Sequence, residues 1–224
     1  MIRYSKRIAL WAASLTLFLT LAGSLRAADF NVYTDKTAFL AAVDQAYYTE
    51  TFNSLVTNQV LVSPITLNSG PNQFVASASL NFYNVDGPTT GDVWLSTNNA
   101  DDPITFSSFA KQPTAIGGNF FLTDFTGTPT AGTIRAVLNA GSADYSTGVS
   151  SSTNFIGFVS VNNTPITSLK LYTVGGNATQ YVSANNLILA TALPVPEPST
   201  YLLGALASTV LAAVARRRKS KIQA

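Results

Sequence analysis

The sequence predicts an all-β domain: an antiparallel β-sandwich, jelly-roll-like, with one short N-terminal helix. Three observations carry this expectation. Charged residues make up only 11% of the chain. Short runs of β-branched and aromatic residues recur between turn signals at spacings of about 8–12 residues, as sandwiches and barrels require. Where a run can be read in detail it alternates, with Ile134, Ala136 and Leu138 on one side and Thr133, Arg135 and Val137 on the other, the period-two signature of a strand.

The chain opens with Arg3, Lys6 and Arg7, then an apolar stretch over 8–21, then Gly23-Ser24-Leu25-Arg26-Ala27-Ala28. A basic region, an apolar core and small residues in that order form a secretory signal peptide, expected as a helix over 1–27 and removed by signal peptidase. Cleavage falls after Ala27, with Leu25 at the −3 position, or after Ala28, because Leu25 is large for that position. The exported domain then spans 28–192. Its strands are expected at 30–33, 48–52, 60–67, 79–84, 93–97, 104–109, 115–123, 133–139, 155–161, 166–174 and 181–189. Leu169 and Leu171 flank an outward-pointing Lys170, and Leu187 and Leu189 alternate with Asn186 and Ile188. Turns are expected at 86–88, 98–103, 127–132, 139–142, 162–165 and 175–177, where Gly, Pro, Asn and Asp cluster. The threonines of 126–133 are interrupted by proline and glycine and read as a loop. One segment has helical spacing instead. Thr34 or Asp35 caps a helix running to about Ala46, with Ala38, Phe39, Ala42 and Val43 on its buried face.

After a proline-rich linker at 193–199 comes an apolar span over 200–215 and a basic tail over 216–224. Counted from Ser199, the 17 residues to Ala215 would make a helix of roughly 25 Å. That is near the lower limit for a bilayer core of about 30 Å. Arg216, Arg217, Arg218 and Lys219 would stop the span on the cytoplasmic face, with the domain outside the inner membrane. Pro196-Glu197-Pro198 is held extended and solvated, because proline fixes φ and lacks an N–H.

Val195, Pro196, Glu197 and Pro198 ahead of one apolar span and an arginine cluster resemble the PEP-CTERM sorting signal of Gram-negative bacteria. The resemblance implies recognition by an exosortase, transient anchoring, then release or transfer to the cell surface or the extracellular matrix. It also implies an association with exopolysaccharide production. The alternative for the same residues is a permanent tail anchor, distinguished by the C-terminal mass of the mature protein. Within the domain, Thr49-Glu50-Thr51-Phe52, the run 115–121, the run 155–160 and the last strand are similar to the β-sandwich found ahead of many such signals. The final strand of those domains often carries adjacent acidic residues, where this chain has Ala184-Asn185-Asn186.

Composition removes several function classes. Nine of the 13 basic residues lie in the two terminal segments. Between residues 28 and 194 only Lys36, Lys111, Arg135 and Lys170 stand against ten carboxylates, a formal charge near −6. Nucleic acid, which needs clustered cations, is therefore not an expected partner. The chain has no Cys and no His, which excludes disulfide stapling, Ser-His-Asp and Cys-His catalysis and the commonest zinc ligand.

The remaining candidates are few. Trp94 precedes Asn98 and Asn99, and an exposed indole beside amides is a platform for a sugar ring. The preferred alternative is a Trp packed between the sheets. Asp86, Asp92, Asp101 and Asp102 cluster in sequence and are candidate calcium ligands, with plain turn chemistry the preferred reading. Glu50 is the one Glu ahead of the linker. A glycosidase needs two carboxyls across the scissile bond, so Glu50 is expected to be an outward-facing strand residue. The expected function is that of an exported, non-catalytic surface or matrix protein, able to bind exopolysaccharide. A polysaccharide-acting enzyme is the runner-up. No cofactor is expected apart from calcium.

Overall fold

Ala115–Thr123, the longest of the expected runs that starts and ends where it was placed, is buried along its whole length and lies inside the larger of two antiparallel sheets. The structure is a computed structural model and describes residues 30–194, apart from 90, 140 and 176–178. In chain order the elements are β1 (Phe30–Tyr33), α1 (Lys36–Ala41), β2 (Tyr48–Glu50), β3 (Val60–Val62), β4 (Ile65–Leu67) and β5 (Phe74–Ser77). They continue with β6 (Asn81–Asp86), β7 (Val93–Thr97), β8 (Ile104–Ser107), β9 (Ala115–Thr123) and β10 (Pro129–Thr130). The last are β11 (Gly132–Leu138), β12 (Gly141–Thr147), β13 (Phe155–Ser160), β14 (Ser168–Thr173) and β15 (Tyr181–Ala190).

Among the described residues, one sheet has nine strands in the order β1-β13-β9-β15-β7-β6-β3, with β10 on β9 and β2 on β15. The other has six, ordered β12-β11-β14-β8-β5-β4. The main core lies between them. Phe82, Leu95, Ile116, Phe120, Phe158 and Leu187 come from the nine-stranded sheet, and Phe74, Ile104, Phe106, Ile134 and Leu171 from the six-stranded one. Phe106 stands near the middle, with ring centroids 6.3 Å from Phe52, 6.0 Å from Phe74 and 6.4 Å from Phe120. Burial of this apolar surface, without disulfides, is the dominant stabilising term.

A second cluster covers part of the outer face of the nine-stranded sheet. It joins Phe39 and Val43 to Ala115, Phe155, Val159, Ile188 and Ala190. The helix is shorter than expected. Asp35 caps it, its Oδ1 accepting from Ala38 N at 2.7 Å, but it ends at Ala41. Val43 leaves it to bridge Ala192, and Asp44 N donates to Thr191 O at 2.9 Å. Pairing with the end of β15 outcompetes a further helical turn. Of the expected buried face, Phe39 and Val43 are fully buried, Ala42 is half-buried and Ala38 is exposed.

Other departures have local causes. The run 60–67 breaks at Ser63-Pro64, since proline cannot donate to a ladder. Its two halves join different sheets, β3 on β6 and β4 on β5. β12 was not expected because Gly141–Thr147 is largely polar; it is an edge strand on β11 with one face in water. At 187–189 the side chains alternate between faces as expected, Leu187 and Leu189 toward the main core and Ile188 toward the helix cluster, but all three are buried. β15 is covered on both faces, by the main core and by the helix cluster. By contrast Leu169 and Leu171 are buried around an exposed Lys170, as expected. The expected signal peptide and C-terminal span lie outside the described residues, within which no helix is long and apolar enough to cross a membrane.

Candidate functional site

The half of the outer face that α1 leaves uncovered is polar and carries the sequence candidates. Its residues follow from the pleat. Leu95 points into the core, so its neighbours Trp94 and Ser96 point outward. Trp94 is 2% exposed, so it offers no platform for a sugar. It is buried as preferred, but on the outer face instead of between the sheets. There its ring meets Phe121 edge-on at 4.8 Å, and its Nε1 donates to Asp92 Oδ2 at 2.9 Å. The β6–β7 hairpin closes against it: Gly87 N donates to Asp92 O at 2.6 Å. A Cβ on Gly87 would lie 2.4 Å from Asp92 Oδ2 and 2.7 Å from Trp94 Nε1.

Asp92 is the centre of a network. Its second oxygen, Oδ1, accepts from Asn185 Nδ2 at 2.7 Å, and Asn185 Oδ1 accepts from Asn186 N at 2.8 Å. Asn186 Nδ2 donates to Asn119 Oδ1 at 3.3 Å, and Asn119 Nδ2 donates to Ser152 O at 3.0 Å. This chain of amides sits where β15 changes partner. Ser183 and Ala184 pair with β7, while 187–189 pair with β2, and a register shift falls between Asn185 and Ile188. Asn186 takes a φ of 50° there, a conformation Asn tolerates better than most residues. Ala184-Asn185-Asn186 thus holds a β-bulge together with neutral side chains.

The four candidate calcium ligands do not come together. Asp86 and Asp92 sit at the start of β7, while Asp101 and Asp102 follow its end. A five-residue strand at about 3.3 Å per residue separates the pairs by more than about 10 Å. Each is otherwise engaged. Asp86 Oδ2 accepts from Asn58 Nδ2 at 3.0 Å, and Thr173 Oγ1 donates to Asp101 Oδ1 at 2.7 Å. Asp102 accepts from Ser79 N at 2.9 Å and Leu80 N at 3.1 Å. No group of three metal-ligating side chains occurs among the described residues. Asn98 and Asn99 also lie at the far end of β7 from Trp94, so the three do not form one platform.

Glu50 does not face outward. It is 5% exposed and accepts from Tyr48 Oη at 2.7 Å, Phe52 N at 2.6 Å and Asn68 Nδ2 at 2.6 Å. These neutral donors tie β2 to the segments that follow it. Burial, then the bond to Glu50 and its charge, push the Tyr48 hydroxyl up to about 12. Burial also raises Tyr145, whose hydroxyl donates to Phe120 O at 3.1 Å. Unfolded tyrosines ionise near 10. The stabilisation these two neutral hydroxyls carry is therefore fully present below pH 10 and declines as the pH rises above it, the Tyr48 part being lost as the pH passes through about 12. Urea midpoints should be level from pH 8 to 9.5 and fall between 10 and 11.5; a level midpoint across the whole range would contradict this.

Two depressions mark the polar outer face. The larger, of about 540 Å³, lies over Asp86, Asp92 and the edge of Trp94. The smaller, of about 320 Å³, lies between Tyr83, Asn98, Phe125 and Tyr181, with Ser96 and Thr123 also lining it. They meet at Thr126 and Gly127, which line both. Beside the smaller one, the Ser183 hydroxyl is 2.8 Å from Ser96 Oγ and 3.2 Å from Thr123 Oγ1. Sequence reasoning named Asn98 here but missed the three aromatics. The available signal was Phe125, an aromatic in a polar Asp-Phe-Thr-Gly turn, where no packing role explains it.

No curated protein matches the sequence. Solved structures with partial likeness include the catalytic domain of a GH87 alpha-1,3-glucanase in complex with nigerose, at 8% identity and a TM-score of 0.34 over 70% of this chain. Another is a variant of the carbohydrate-binding module CBM29-2, at 10% identity and a TM-score of 0.33, covering 68% of this chain and 99% of that one. This chain spans 30% of the glucanase chain's length. TM-scores this low carry no argument about the site. The C-terminal region is different: its match to a family model is specific and falls on the residues that prompted the expectation, although Val195 to Pro198 and the basic tail lie outside the described residues. Over residues 194–219, this chain carries a PEP-CTERM protein-sorting motif.

Proposed function

We propose that this is an exported protein, processed by an exosortase through its C-terminal motif, whose two-sheet domain works without catalysis at the surface or in the extracellular matrix of a Gram-negative bacterium. The observation that carries the reading is the sorting motif at residues 194–219. Signal peptidase removes the leader, the apolar span holds the chain in the inner membrane, and the exosortase cuts near Pro196-Glu197-Pro198. The domain then acts by binding, with polysaccharide as its partner. Three features support a non-catalytic role: the chain has no His, Glu50 is buried among neutral donors, and both oxygens of Asp92 are committed to holding Trp94 and Asn185.

The Pro196→Ala/Pro198→Ala double variant tests the sorting step. In a host that carries an exosortase it should remain membrane-associated at its uncut C-terminal mass, while the wild type is shortened. Processing of the variant at the wild-type rate would defeat the reading.

A further inference from the structure

We propose that the groove between Tyr83, Phe125 and Tyr181 is a binding site for a neutral glycan chain, an assignment that rests on the extracellular binding role above. Phe125 is 83% exposed, yet the turn that carries it is firmly built. Asp124 Oδ1 accepts from Thr126 N at 2.8 Å, Thr126 Oγ1 at 2.6 Å and Thr128 N at 3.0 Å. Asp124 N donates to Thr128 O at 2.9 Å, and Gly127, at a φ of 81°, donates back to Asp124 O at 3.0 Å. A rigid turn that presents a phenyl ring to water has a stacking surface ready before any ligand arrives, so little ordering is lost on binding. Tyr83 and Tyr181 are half-buried, and their hydroxyls and the Asn98 side-chain amide make no hydrogen bonds among the described residues. Rings for the apolar face of a pyranose, beside free hydroxyl and amide groups for its hydroxyls, are what sugar recognition needs.

Charge narrows the ligand. No Lys or Arg lines the groove. Arg135 pairs with Asp144 on the six-stranded sheet at 2.5 Å, and Lys170 lies over the Tyr172 ring there. The one ionised group in the groove is Asp124, held below the usual carboxylate range by the Thr126 hydroxyl and the Thr128 and Thr126 amides. It would repel uronic acids and sulfated sugars. Shape narrows the ligand further. At about 320 Å³ the groove is at the small end of ligand sites, roughly 300–1,000 Å³. It opens at Thr126–Gly127 into the larger depression, so a polymer can enter and leave it. A protein partner would call for a broader patch.

The test uses the full chain in detergent, with dextran, cellohexaose and laminarihexaose as neutral probes and alginate as the anionic one. At least one neutral glycan should bind, and alginate should not. Phe125→Ala should weaken binding about tenfold or more, Phe125→Trp should keep it, and Tyr181→Ala should weaken it in the same direction. Because Phe125 is exposed, Phe125→Ala should keep the wild-type circular dichroism spectrum. Failure of all three neutral glycans to bind, preferential binding of alginate, or binding unchanged in Phe125→Ala would each overturn the proposal. Phe125→Ala should still be processed at its C-terminus, and Pro196→Ala/Pro198→Ala should still bind glycan, so the groove and the sorting step fail separately.

Discussion

Gly157→Ala is expected to destabilise the domain by about 1–3 kcal/mol, the usual cost of overpacking a filled core. Gly157 on β13 faces Gly117 on β9, and the Phe39 ring of α1 lies directly over Gly157. A Cβ added at Gly157 would lie 2.3 Å from Phe39 Cδ2 and 2.8 Å from Cε2. The ring cannot simply swing away. It is fully buried, with Tyr33 6.1 Å away and Phe155 5.4 Å away between ring centroids. Phe39→Ala alone empties the same space and is expected to cost about 3–5 kcal/mol. The double variant should be less destabilised than the sum of the two, because the added methyl then enters a cavity. Urea denaturation of all four proteins measures the coupling. Simple additivity would mean that Phe39 does not rest on Gly157.

Asp92→Ala is the second large effect. Trp94 and Asn185 are 2% and 4% exposed, and both donate a hydrogen bond to Asp92. Removing the carboxylate leaves two enclosed donors without an acceptor, at roughly 1–3 kcal/mol each. Asp92→Asn should be milder but still destabilising, since one of its two positions becomes a donor facing a donor. Thermal melts with and without millimolar calcium distinguish this role from metal binding. A ligand that binds only the folded state must raise Tm. Asp92 acting as a hydrogen-bond centre predicts a large fall in Tm for Asp92→Ala and no calcium shift in the wild type. A rise of several degrees with calcium, lost in Asp92→Ala, would return Asp92 to the metal ligands.

The parts of the fold legible in the sequence were those where one physical signal dominates. The runs 93–97 and 115–123 are β-branched, aromatic and long enough to be bounded by turn residues, and both strands begin and end as expected. Ile134, Ala136 and Leu138 alternate because β11 has one dry face and one wet one. What failed depended on neighbours distant in sequence. Gly141–Thr147 is a strand only because β11 lies beside it. The 187–189 stretch keeps its alternation of faces but not of exposure, because α1 covers the second face. Trp94 was read as buried, and it is, but which face it took depended on Phe121 and Asp92 meeting it. The acidic cluster was adjacent in sequence yet split by the length of β7. The aromatic groove was invisible because Tyr83, Phe125 and Tyr181 come from three separate segments. Glu50 was misplaced because the donors that bury it, Tyr48 and Asn68, are polar residues with no pattern of their own.

The central claim is that the C-terminal motif is a processing signal. The most direct measurement is the intact mass of the exported protein, recovered from outside a host that carries an exosortase and from the same host without it. The account predicts a product that ends near Pro198 and lacks 200–224 when the exosortase is present, and an uncut, membrane-bound chain when it is absent. An extracellular or surface protein that still ends at Ala224 in both hosts would contradict it.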